Sequence, residues 1–203
     1  MSRVKLIGDM KEEIEQWFQL NNISSSEVTA NTNLQHCESW SPVENGAIKC
    51  NVHANWINAH LHSGVAWIAR DHYGNVTHHA RDAIVHAPNH FIAELRCIIY
   101  AMTSLSDLGV TSVILSSDYT EVIEAIKSPL QWLRHRGLLQ QVIQLKEKFQ
   151  TITFEDEKVA ANGIARDIAR SVLRDGRFQS YLAMGGPSWL HDKIAREKHP
   201  SNI

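Results

Sequence analysis

A chain of 203 residues with 43% hydrophobic side chains can bury one sizeable core, while a net charge of −2 supplies no global attraction for nucleic acid, so any such binding must come from a local basic patch. Three cysteines, Cys37, Cys50 and Cys97, have no paired spacing and read as reduced thiols. Charges at Arg3, Lys5 and Asp9 argue against a signal peptide, and no apolar run reaches the ~20 residues of a membrane span, so an intracellular protein, nuclear or cytoplasmic, is expected.

Residues 9–20 place Met10, Ile14, Trp17 and Phe18 at helical spacing, and the polar stretch 21–39 lacks any period. Residues 1–45 therefore read as a helix and a linker, 46–175 as the main domain and 176–203 as a tail. Between Ile48 and Trp56, Lys49, Asn51, His53 and Asn55 alternate with Cys50, Val52, Ala54 and Trp56, which predicts a strand with one polar and one apolar face. Gly64–Arg70 and Val76–Ala80, joined by a turn around Gly74, complete a meander. Asn89 is placed to cap a helix with Ile92, Leu95, Ile98, Ile99, Met102 and Leu105 on one face, stopped by Gly109. A strand follows at Thr111–Ser117, then a helix through Ile126 that Pro129 ends, a helix over 133–149, a strand at Thr151–Phe154 and a helix over Val159–Leu173. The class is α/β, with a five-stranded mixed sheet, a three-strand antiparallel meander plus two parallel strands, flanked by helices.

Several motifs occur in a fixed order: Trp40-Ser-Pro-Val-Glu-Asn-Gly-Ala-Ile-Lys-Cys-Asn-Val52, Gly64-Val-Ala-Trp-Ile-Ala-Arg-Asp71, Ala93-Glu-Leu95, Ser116-Ser-Asp118 before a helix, Asn162 with Ala165, and Gly185-Gly-Pro-Ser-Trp-Leu190 in the tail. In this order the chain resembles the ribonuclease H fold, and in particular the plant reverse-transcriptase-like ribonuclease H domains of retrotransposon type. The resemblance implies hydrolysis of the RNA strand of an RNA–DNA hybrid by two Mg²⁺ ions about 3.5–4 Å apart, held by four carboxylates. Glu94 and Asp118 match two of the four. His53 stands at the first-strand position and Arg166 at the last-helix position, where the family has Asp.

A neutral imidazole suits zinc or copper better than Mg²⁺, and a guanidinium is a fixed cation. The two substitutions predict that two-metal binding is lost or severely weakened. Asp156 ranks above Asp167 as a substitute ligand, because one step along a helix turns a side chain by about 100°. Read without the resemblance, Asp118 is a helix N-cap and Glu94 a helix-surface carboxylate. A zinc site from Cys50 and His53 is disfavoured because residues three apart on a strand face opposite ways.

Lys127, Trp132, Arg134 and Arg136 form a modest basic and aromatic patch for nucleic acid, and Arg166 is placed to meet a phosphate where a metal would sit. Three functions stay open: an RNase H-like domain that binds nucleic acid without hydrolysis, an RNA–DNA hybrid ribonuclease with an altered metal site, for instance with Mn²⁺, and a protein-interaction module. Binding to an RNA–DNA hybrid or another nucleic acid is expected to be weak, alongside a protein partner and no membrane.

Overall fold

The computed structural model describes residues 40–198 apart from Pro42, Asp175 and Arg177, so the helix expected at residues 9–20 lies outside the described residues. The meander forms as expected from β1 (Ile48–Asn55), β2 (Ser63–Arg70) and β3 (Val76–Ile84). Helix α1 (His90–Asp107) leads to β4 (Ser112–Ser117), α2 (Thr120–Lys127), α3 (Arg136–Lys146), β5 (Thr151–Asp156) and α4 (Gly163–Arg174). A last strand, β6 (Tyr181–Met184), and α5 (His191–Lys198) follow.

The sheet order is β5-β4-β1-β2-β3-β6, with β4 parallel to β1 and to β5 and the other neighbours antiparallel. Six strands, not five, make the sheet. The sixth comes from residues read as tail, and at four residues between polar flanks it is too short to display a period. Its place is fixed by side chains of β3: His79 Nδ1 donates to the Gly185 carbonyl at 2.6 Å, its Nε2 meets the Tyr181 hydroxyl at 3.1 Å, and Arg81 lies over the Tyr181 ring.

Local signals account for both ends of α1. The Asn89 side chain accepts from the Ile92 amide at 2.9 Å, as an N-cap should, and Gly109 takes the left-handed conformation (φ +74°) that ends α1. Two expected helices start later than their periods suggest. Leu133–His135 is a 3₁₀ turn, so α3 begins at Arg136, and residues 158–162 form turns closed by Asn162 N–H to the Lys158 carbonyl before α4 begins. No helix of the described residues is long and apolar enough to cross a membrane.

Both faces of the central strands β1 and β2 are buried, and they differ in chemistry. Cys50, Val52 and Ala54 of β1 join Val65, Trp67 and Ala69 of β2 beneath α1, α2 and α3, an ordinary apolar core. On the other face Ala66 and Ile68 pack against Ile164, Ala165, Ile168 and Ala169 of α4 and against Leu190. The alternate residues of β1, Lys49, Asn51 and His53, are buried on that side, so its polar face is a second interior and not a solvated surface. The charges there are paired: Lys49 Nζ lies 2.8 Å from Glu157, and Arg70, stacked on Trp40, donates to Glu197 of α5 at 2.9 Å.

Candidate functional site

Parallel pairing of Val52 with Ser117 sets the next residues of the two strands, His53 and Asp118, side by side at one end of the sheet. His53 Nδ1 donates to Asp118 Oδ1 at 3.1 Å. Helix α4 enters from the same end. Asn162, just before it, donates from Nδ2 both to the Val52 carbonyl at 2.9 Å and to Asp118 Oδ1 at 2.7 Å. One helical turn on, Arg166 Nη1 donates to Asp118 Oδ2. The Asp118 side chain is only 2% exposed.

Glu94 of α1 is fully buried one step away. Its Oε2 accepts from the Ala54 amide at 2.7 Å and its Oε1 from the Ser117 hydroxyl at 2.6 Å. His90, one turn earlier, donates from Nε2 to the Ala54 carbonyl at 3.1 Å, and its ring centroid lies 6.2 Å from that of His53. His53, Glu94, Asp118 and Arg166, named from sequence, thus converge. Asn162 and Ser117 complete the cluster, and both lay inside motifs already quoted, Ser-Ser-Asp and the Asn of the last helix.

The N-cap reading of Asp118 does not survive. The cap position of α2 is Tyr119, no side chain caps that helix, and the Asp118 carboxylate is used wholly inside the site. Nor is Glu94 a surface carboxylate. Asp156 is exposed and accepts instead from Thr120 Oγ1 at 2.8 Å. Asp167 pairs with Lys193 at 2.6 Å, and Glu157 with Lys49. Trp132 is half-buried and stacked on Phe91 with centroids 5.2 Å apart, whereas Lys127, Arg134 and Arg136 are exposed.

Burial would raise the pKa of Asp118, but the hydrogen bond and charge of His53, the Asn162 amide and the Arg166 guanidinium outweigh it and hold the carboxyl at about 2. With the folded value depressed, the stabilisation from this carboxylate is fully present above about pH 4 and fades as the pH falls toward 2. A carboxyl-carbon NMR titration is expected to find Asp118 ionised down to that range. A midpoint at the ordinary value of 3.8 would mean that the three donors do not hold it.

Magnesium needs carboxylate oxygens free to enter an octahedral shell. Asp118 Oδ1 already accepts from both His53 and Asn162, and the fixed cation of Arg166 occupies Oδ2, where it would repel a metal ion. Among the described residues, no three His, Cys, Asp or Glu side chains are grouped to hold a metal ion. The residues present do not fit the two-metal arrangement.

A mixed sheet in the order β5-β4-β1-β2-β3-β6 with helices packed on both faces, and acids of α1 and of the end of β4 meeting at the end of the central strand, is the architecture of a ribonuclease H-like domain. Solved structures agree on the fold. Ribonuclease H1 of the archaeon Halobacterium salinarum is 19% identical with a TM-score of 0.57, covering 64% of this chain and 98% of its own. The N-terminal ribonuclease H domain of Rv2228c from Mycobacterium tuberculosis is 20% identical with a TM-score of 0.52, covering 62% and 97%. LC11 ribonuclease H1, isolated from compost and solved with an RNA/DNA hybrid, is 14% identical with a TM-score of 0.55, covering 64% and 98%. The reverse transcriptase-like family model matches residues 51–172, and this chain belongs to that family. A stretch of 38 residues is 68% identical to protein phosphatase 2C-like protein 45 of Arabidopsis thaliana, which spans 19% of this chain and only 16% of that protein.

Proposed function

We propose that this chain is a nucleic-acid-binding RNase H-like domain in which hydrolysis of an RNA–DNA hybrid by two metal ions is lost or severely impaired. The observation that carries this reading is the closed set of partners around Asp118: His53 and Arg166, at the two positions where the resemblance expects Asp, both bond it, and Asn162 completes the set. A cation built into the chain takes over the neutralising role that a bound ion plays elsewhere in the family. Glu94 and Asp118 are then remnants of a metal site. Mg²⁺ binds weakly or not at all, and Asp156, bonded to Thr120, does not replace a missing ligand, whether for Mg²⁺ or Mn²⁺.

Nucleic acid is held by charge. Lys127, Arg134 and Arg136 supply exposed cations, and the outer part of Arg166, whose side chain is 26% exposed, reaches a phosphate at the groove. Trp132 supports this surface from beneath through Phe91. We read the domain as beginning near residue 46, as related to plant retrotransposon-derived proteins, and as acting inside the cell, in the nucleus or cytoplasm, alongside a protein partner.

The test is fluorescence anisotropy with labelled RNA–DNA hybrid, duplex and single strands at low and high salt. Binding is expected to persist in EDTA, to ignore added Mg²⁺ and to weaken log-linearly with salt. Lys127→Glu with Arg134→Glu is expected to lower the salt slope by about 1 per lost phosphate contact. No affinity at low salt would overturn the nucleic-acid reading. Turnover of the hybrid in Mg²⁺ or Mn²⁺ that Glu94→Ala or Asp118→Ala abolishes would overturn the loss of hydrolysis.

A further inference from the structure

Between α2 and α3 the chain leaves the core with apolar side chains facing outward. Leu130 is 86% exposed and Leu133 70% exposed, each in a single 3₁₀ turn. Their neighbours Trp132 and His135 turn inward instead, and both stack on Phe91. Ile143, 38% exposed, extends the apolar strip two turns along α3 from Arg136, and Leu139 forms its floor. With Pro129, these residues enclose an open cleft of about 380 Å³. That volume lies within the ~300–1,000 Å³ of ordinary binding clefts.

The charged residue of the cleft's lining is Arg136, and the segment that carries it is basic: from Lys127 to Lys148 the sequence has five exposed cations, Lys127, Arg134, Arg136, Lys146 and Lys148, against the single acid Glu147, in a chain whose net charge is −2. An apolar floor in a basic segment calls for an occupant that is apolar on one side and acidic at its margins. One wall of the cleft is a helix face, with residues 136, 139, 140 and 143 at i, i+3, i+4 and i+7, a surface suited to a second helix laid into the groove.

We propose that this cleft docks an acidic amphipathic helix of another protein, whose aliphatic side chains enter between Leu130, Leu133 and Ile143 while its Asp and Glu residues meet Arg136 and its neighbours. Nucleic acid is a poorer match. Two exposed leucines gain nothing from phosphates, and the aromatic ring that would stack a base, Trp132, has a face covered by Phe91. A second copy of this chain is also a poorer match, since a two-fold contact through this patch would press one basic segment against another. This inference does not depend on the nucleic-acid reading.

The test pans the full chain against a displayed library of helix-forming peptides three to four turns long, then measures selected peptides by fluorescence anisotropy. Expected are sequences with Leu, Ile or Phe at i, i+3 or i+4, and i+7 and an acidic net charge. Their affinity is expected to fall at least tenfold, about 1.4 kcal/mol, in Leu130→Ser/Leu133→Ser, which removes the apolar contacts without adding charge. A comparable fall is expected in Arg136→Glu, a second variant at an exposed position that guards against misfolding of the first. Unchanged hybrid binding by the leucine variant supports the proposal. Peptides that bind wild type and both variants equally, or that carry no acidic bias, overturn it. So does a leucine variant that instead loses oligonucleotide affinity, which would assign the cleft to nucleic acid, or one that abolishes a concentration-dependent dimer in sedimentation, which would assign it to a second copy.

Discussion

Replacing His53 and Arg166 together by aspartate is expected to give a chain that binds Mg²⁺ in titration calorimetry, with affinity at least about 100-fold above the native chain, or ~2.7 kcal/mol. Both side chains point into Asp118, so the double change removes its internal cation and its imidazole donor in one step and adds two carboxylates. With the imidazole neutral, Glu94, Asp118 and Arg166 sum to a charge of about −1, and the variant carries about −4, a set that bound divalent ions would neutralise. Arg166→Asp alone should bind weakly, because His53 still occupies Asp118 Oδ1. His53→Asp alone should bind less still, because the guanidinium remains. Cleavage of a labelled hybrid in Mg²⁺ is expected to appear only in the double variant. An intact fold, seen by circular dichroism, with no heat of binding would mean that these positions are not the metal ligands of an ancestral site.

Much of this arrangement is legible in the sequence, for identifiable reasons. The alternation from Lys49 to Trp56 located β1 and both of its faces, since a period of two survives whatever covers each face. Asn89 and Gly109 marked the ends of α1 by local chemistry that needs no tertiary partner. The β6 strand was not legible, because it is held by His79 and Arg81 from a strand a hundred residues away in sequence. His53 and Arg166 were recognised as departures from a pattern. That Arg166 bonds Asp118, and does not simply line an open groove, depends on how far α4 leans over β1 and β2, which no local signal encodes. The buried partners of Lys49 and Arg70 were hidden for the same reason, since Glu157 and Glu197 approach from a loop and from α5.

α4 leans closely on β2 at Gly64, and Gly64→Ala is expected to expose this as a large loss of stability. A β-carbon on Gly64 in β2 would run into the Ala169 backbone carbonyl of α4 and lie 2.9 Å from Val172 Cβ. Neither neighbour is the free end of a flexible side chain, so the helix itself has to move. Strain of this kind costs about 1–3 kcal/mol and more where backbone is involved. The entropy gained by replacing glycine offsets only ~0.4–1 kcal/mol. A net loss of about 3 kcal/mol would lower the melting temperature by ~6–12 °C in a chain of this size. Gly137→Ala provides the contrast, because nothing lies within 4 Å of its would-be β-carbon on exposed α3, and there the melting temperature should rise by ~1–4 °C. The displacement should also reach the site, since the same helix carries Arg166 and follows directly on Asn162. Asp118 in Gly64→Ala should therefore titrate nearer the ordinary carboxylate range than in the native chain. Native-like melting combined with an unmoved Asp118 titration would show that α4 can slide without loosening its hold on the acid, and that the close approach at Gly64 does not position the site.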